Sequence, residues 1–210
     1  MPLTLFGSPG SGSAAVEMAL RAAEVDYELV RASSWEPKSA LKRLLEVNPL
    51  GQIPTLLLLD GTVLTESAAI LISLGLQYPA AKLFPNSEGA RALAIRGLVF
   101  IAANCYASVS VSDYPARWTI SRSSQAREQV RQAARRQLHR SWEVFADSFG
   151  SDAVLSAEEP GALAFLAVVV SQWSGSRAHL REFRPDFFES VTRIASHPRV
   201  DGVLREQNDA

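Results

Sequence analysis

The chain has 210 residues, 47% of them hydrophobic, and its 21 Lys and Arg nearly balance 22 Asp and Glu for a formal net charge of -1. That length supports one large domain or two small ones, each able to bury a working core, and the balanced charge argues against nucleic acid or an acidic membrane surface as the main partner. A single cysteine, Cys105, excludes an intrachain disulfide, a CxxC redox pair and a thiolate metal cluster. The opening MPLTLFGSPG has neither a basic leader nor an apolar core of signal-peptide length. No run approaches the roughly 18 apolar residues of a membrane-spanning helix, so the expectation is a cytoplasmic protein with no membrane partner.

Leu3 to Phe6 reads as a short strand that ends in Gly7-Ser8-Pro9-Gly10-Ser11-Gly12-Ser13, a run of turn formers. Val16, Ala19, Leu20 and Ala23 then share one face of a helix, with Ser13 where an N-cap would stand. Tyr27 to Val30 is the next strand. A polar connection, Ser33 to Pro37, leads to a short helix marked by Leu41, Leu44 and Leu45, which stops before Asn48-Pro49.

The stretch NPLGQIPTLLLLDGTVLTES, from Asn48 to Ser67, carries the most information. Thr55 to Leu59 and Thr62 to Leu64 are apolar runs flanking Asp60-Gly61, whose glycine suits the positive φ of a type I′ hairpin turn. Pro54 has no N–H to donate into a ladder, which leaves its carbonyl and both polar groups of Ile53 open. A cis Ile53-Pro54 bond would turn the Ile53 backbone toward a ligand. Glu66-Ser67 opens a helix in which Ile70, Leu71, Leu74 and Tyr78 recur at helical spacing. An open strand edge accepts an extended peptide, a first helical turn holds a carboxylate, and Glu66 can hold an ammonium group. Together these features suit a small zwitterionic peptide.

The order NPLGQIPTL, then DG, then TESAAI resembles the glutathione-binding half of the cytosolic glutathione S-transferase family, and the resemblance continues more weakly to Glu206. It implies a GST fold: a thioredoxin-like βαβαββα domain over residues 1–78 with a four-stranded mixed sheet, a linker over 79–87, and an all-helical domain over 88–210. It implies glutathione as co-substrate, with Gln52, Ile53, Pro54, Glu66 and Ser67 at the binding positions, and a homodimer. Trp35 and Lys38 lie where they could cover the glycyl carboxylate.

In that family the loop after the first strand carries a catalytic Tyr, Ser or Cys. Here Phe6 stands at about the tyrosine position and Gly12 at that of the cysteine-type members, so protein-thiol chemistry is not expected. Ser11 falls near the serine of serine-type members and Ser13 sits at the cap; either hydroxyl could stabilise a thiolate together with the helix N-terminus. Ser8 reads as a turn residue.

Everything after the linker reads as helical. Glu88 to Ser112 is apolar and ends at Asp113-Tyr114-Pro115, and Tyr106, Tyr114 and Trp118 are either walls of a second-substrate pocket or aromatic core. Gln125 to Phe149 steps Val130, Ala134, Leu138, Trp142, Phe145 and Phe149 along one side and arginines along the other, a solvated basic face. Ser156-Ala157-Glu158-Glu159 fits a capping box ahead of Ala162 to Val170, an apolar helix for the centre of the domain. Pro185 to Ser196 and Arg199 to Glu206 are amphipathic. His139, His179 and His197 lie far apart with no carboxylate at ligand spacing, so no metal is expected. A transferase that joins glutathione to an electrophile and a non-catalytic binding module of the same fold both remain open.

Overall fold

The computed structural model describes residues 2–151, 154–156 and 158–208. Strands β1 (Leu3–Gly7) and β2 (Tyr27–Arg31) run parallel on either side of helix α1 (Ser13–Ala22) in sequence, and α2 (Leu41–Val47) precedes the hairpin of β3 (Thr55–Leu57) and β4 (Val63–Thr65). The sheet order is β2-β1-β3-β4, with β3 antiparallel to both β1 and β4. Side chains alternate across β1: Leu3 and Leu5 enter the larger core with α1 and α3 (Ser67–Gln77), whereas Phe6 enters a smaller one with Val30, Ala32 and Leu44. This is the expected thioredoxin-like sheet.

The hairpin turn differs from expectation. Leu58 N–H donates to the Thr62 carbonyl at 2.9 Å and Gly61 N–H to the Leu58 carbonyl at 3.1 Å, which makes a three-residue loop. Only Gly61, at φ 87°, has positive φ. A type I′ turn needs two such residues; Asp60 instead accepts from Thr62 N–H at 2.9 Å, so the carboxylate organises the loop that a second left-handed residue would otherwise have to form.

The helical domain comprises α4 (Glu88–Phe100), α5 (Ala107–Asp113), α6 (Ser124–Phe149), α7 (Ala162–Val170), α8 (Ser176–Phe183), α9 (Pro185–Ala195) and α10 (Pro198–Asn208). Between α4 and α5, Ile101–Tyr106 is π-helical, so Glu88–Asp113 forms one rod. Although the sequence has no unbroken apolar run of that length, an 18-residue stretch of this rod has a mean hydropathy of 1.6, so by length and composition alone it could cross a membrane. Its apolar side is used in packing: Ala94, Leu98, Ile101, Cys105 and Val109 are buried among α6 and α7. Small residues and isolated serines along the rod hide this hydropathy from a search for unbroken apolar runs.

Helix α7 is buried at all nine positions and packs against α1, α3, α4 and α9, so it is the axis of the second domain. The expected capping box does not cap it. Ser156 Oγ accepts from the N–H groups of Glu158 and Glu159 at 3.3 Å each, but Pro160 and Gly161 intervene before the helix and Gly161 is its N-cap. Glu159 reaches away to Lys82 Nζ at 3.0 Å, and Ala157 lies outside the described residues. The histidines are corrected too. Helices α6 and α8 stack His139 on His179 with ring centres 4.4 Å apart, and Glu143, four residues after His139, lies 2.9 Å from His179 Nε2. Sequence separation hid a contact made by helix packing. Among the described residues, no cluster of three or more ligating side chains could hold a metal ion.

Because Phe165 is fully buried within α7, Phe165→Ala leaves a cavity on the axis of the domain. Chemical denaturation is expected to show a loss of about 3–5 kcal/mol; a loss below about 1 kcal/mol would contradict a central role for α7.

Candidate active site

The segment from Asn48 to Thr55 is fastened by one buried side chain. Asn48 Nδ2 donates to the Gln52 carbonyl at 3.1 Å and to Thr55 Oγ1 at 2.9 Å, while its Oδ1 accepts from Leu50 N–H at 3.1 Å. Thr55 Oγ1 donates to the same Gln52 carbonyl at 2.8 Å. The loop is therefore rigid at both ends of Ile53-Pro54. The peptide bond between these two is cis, and among the described residues neither the N–H nor the carbonyl of Ile53 has a hydrogen-bond partner. Ile53 thus presents an open donor and acceptor, and the Gln52 side chain is exposed beside it.

Glu66 and Ser67 follow β4 directly. Glu66 is exposed and takes φ 64° and ψ 112°, a region that costs a non-glycine residue about 1–3 kcal/mol and persists where the surroundings impose it. Here β4 fixes one side and α3 the other. The strained residue leads into Ser67, the first residue of α3, which is buried. The first-turn N–H groups of α3 can receive a carboxylate there.

The loop from Gly7 to Ser13 meets α1 differently from the sequence expectation. Gly12 is the N-cap and Ser13 the first helical residue; the helix N–H of Ser13 is received by Ser11 Oγ at 3.2 Å. The Ser13 hydroxyl turns back, donating to the Ser8 carbonyl at 3.4 Å and accepting from Ser8 N–H at 3.3 Å. It lies so close over Gly7 that a Cβ there would come within 2.5 Å of Ser13 Oγ. Ser13 holds the loop shut. Ser11, 3.0 Å from Ser13 Oγ, lines a cleft together with Ala14, Val169, Trp173, Leu204 and Gln207.

That cleft lies between the domains, walled by α1 on one side and by α7 and α10 on the other. Gln207 of α10 ties them: its Oε1 accepts from Gly10 N–H at 3.2 Å and its Nε2 donates to Glu17 Oε1 at 2.6 Å. Burial pushes the Glu17 carboxyl above its ordinary range, partly offset by that hydrogen bond. Arg21 of α1 adds a paired contact to Glu206. Nothing in the sequence singled out Gln207, Leu204 or Trp173, because no local pattern shows that α10 returns to the first loop.

Of the aromatic residues singled out in sequence, the structure brings Tyr106 to this region and not the other two. Tyr106 meets Trp173 edge-on with ring centres 5.3 Å apart, and its hydroxyl accepts from Ser67 Oγ at 3.4 Å. Tyr114 and Trp118 are exposed at the far end of α5, where Arg117 covers the Tyr114 ring at 4.2 Å, and neither lines the cleft. Trp35 is exposed and Lys38 takes φ 70°. Cys105 is buried and its thiol is pushed up to about 12 by burial, which leaves it inert.

An open peptide-like edge at Ile53, an anion-receiving helix start at Ser67, an exposed carboxylate at Glu66 and a cleft beginning at Ser11 are gathered on one side of the molecule by the sheet order. A sequence profile of the glutathione S-transferase N-terminal domain matches residues 1–72. The chain is 34% identical over 129 residues to the uncharacterized GST-like protein YncG of Escherichia coli strain K12, a match covering 61% of this chain and 62% of that protein. It is 37% identical over 108 residues to the glutathione S-transferase GstA of Escherichia coli O157:H7, covering 48% of this chain and 51% of that protein. The chain therefore matches less than two thirds of the length of these two relatives. Along nearly its whole length it superposes on a sphingomonad glutathione S-transferase complexed with glutathione, with a TM-score of 0.76 and 25% identity, covering 99% of this chain and 100% of that one. Residues 1–72 are accordingly a glutathione S-transferase N-terminal domain, and the chain along nearly its whole length has the fold of the sphingomonad enzyme.

Proposed function

We propose that this protein binds glutathione and transfers it to a small hydrophobic electrophile, in the cytoplasm and as a homodimer. The observation that carries this reading is the convergence of three groups that match the three parts of a short zwitterionic peptide. The open N–H and carbonyl of Ile53 pair with the backbone of the central cysteinyl residue. The N-terminus of α3 with the Ser67 hydroxyl holds the carboxylate of the γ-glutamyl end, and Glu66 holds its ammonium. Gln52 lies beside the same edge, and Pro54, which cannot donate, leaves the strand end open to the ligand.

A peptide held at these points lays its thiol toward the loop and the N-terminus of α1. The positive end of that helix favours the thiolate. Of the loop hydroxyls, Ser11 faces the cleft, whereas Ser13 Oγ is spent on Ser8 and contributes by keeping the loop closed. The thiol proton leaves to solvent. The sulfur lone pair then forms the S–C bond to the electrophile, and the displaced group departs with its electron pair. Tyr114 and Trp118 would act on a substrate only if it extends well past this cleft.

Glu66→Ala and Ser67→Ala are each expected to weaken glutathione binding about tenfold or more by calorimetry, since a hydrogen bond to a charged group is worth roughly 1.5–3 kcal/mol. Unchanged affinity in both variants would remove the site. Turnover is tested with a panel of aryl halides, epoxides, hydroperoxides and disulfides; glutathione binding with no turnover on any of them would favour a binding module instead.

The dimer is supported by large apolar side chains left in solvent, among them Leu76 of α3 and Val99 of the adjoining α4, 64% and 51% exposed. Closed two-fold dimers are also the commonest assembly. Light scattering at micromolar concentration is expected to return about twice the 22.8 kDa of one chain, and the single-chain mass would refute the dimer.

A further inference from the structure

Gly12 is the position at which the helix start lacks a side chain, and the space in front of it is filled from the other domain. A Cβ built on Gly12 would lie 1.8 Å from Tyr106 Oη and 3.2 Å from Ser67 Oγ. The tyrosine hydroxyl therefore occupies the place that the side chain of residue 12 would take. It does so between the N-termini of α1 and α3. Without ligand, Ser67 Oγ donates to Tyr106 Oη at 3.4 Å, a long contact that a bound carboxylate replaces by taking the same proton, and among the described residues the phenol's own proton has no acceptor. A partly buried phenol thus holds an uncommitted donor at the helix terminus.

Two features hold it there. Ile101–Tyr106 is π-helical, and its wider turn rotates the end of this segment relative to α4, with Tyr106 as its last residue. Trp173, itself a wall of the cleft, packs edge-on against the tyrosine ring. Burial pushes the phenol up to about 12, so it keeps its proton at neutral pH and can donate but not act as a base.

We propose that Tyr106 is a catalytic residue of the helical domain, whose hydroxyl donates a hydrogen bond to the glutathione sulfur from the space left by Gly12. This rests on the glutathione-binding reading given above. Tyr106 transfers no proton: the thiol releases its own to solvent, and the phenol stabilises the anion that remains. Glycine at position 12 is then a requirement of the site, because any side chain there would displace the donor.

The test follows thiolate absorbance against pH in the glutathione complex of the full-length protein, with calorimetry and a thermal melt on each variant. Tyr106→Phe is expected to keep glutathione affinity within about threefold while raising the midpoint of the bound thiol by roughly one unit, a tenfold loss of thiolate at neutral pH. Gly12→Ala, which pushes the ring out, should raise the midpoint similarly and add little when combined with Tyr106→Phe. A midpoint unmoved by Tyr106→Phe, in a variant that still binds glutathione, overturns the role of Tyr106 and leaves the glutathione reading standing. Additive shifts from Gly12→Ala and Tyr106→Phe overturn the shared site. If the wild-type protein binds no glutathione, the functional reading falls and this proposal with it.

Discussion

Burial of helix α1 is the constraint on which the rest of the structure depends. Ser13 to Leu20 are all buried, and the helix contacts α3 within its own domain and α7 and α10 of the other. A helix enclosed on so many sides cannot shift without disturbing both cores. Its N-terminus is accordingly a fixed point, and every group of the site is placed relative to it. The cost is a carboxylate, Glu17, drawn inside with the helix; Gln207 and Tyr27 satisfy its oxygens at 2.6 Å and 3.4 Å. The same Gln207 amide then reaches Gly10, so the repair of a buried acid also anchors the loop beside the site.

The site is assembled by termini and edges. Ile53 stands at the head of β3, Ser67 at the start of α3, Ser11 just before α1, and Tyr106 at the end of a π-helical segment. Backbone groups at such places are left unpaired by the regular structure that ends there, and they can be offered to a ligand at no cost to the ladder or helix. Glu66 shows the same logic with strain attached. Its left-handed backbone allows β4 to run straight into α3, which sets the helix start against the strand edge.

The cleft is likewise a consequence of domain contact. Its walls come from α1, α7 and α10, of which α1 lies more than half of the chain away from the other two, and its polar side chains are Ser11, Gln172 and Gln207. The shape of this cleft therefore rests on how the helical domain docks.

The sequence by itself determined the elements whose causes are local. Alternation and turn residues mark β1 to β4, the helical periodicity of Val16, Ala19 and Leu20 marks α1, and Pro54 together with Glu66-Ser67 marks an open edge beside a helix start. These signals are set by period and backbone chemistry within a few residues, so they can be read in one dimension. What required tertiary structure was each contact between distant segments. Ser13, plausible as an N-cap, is claimed by Ser8; the capping box at Ser156 is separated from its helix by Pro160; the stacked pair His139 and His179 exists only because α8 lies along α6. Tyr106, Trp173 and Gln207 reach the first domain from positions whose local patterns are those of ordinary packing residues. No local energy term distinguishes a side chain that will fill the core from one that will fill the space before Gly12, since that choice is made by the docking of one domain on the other.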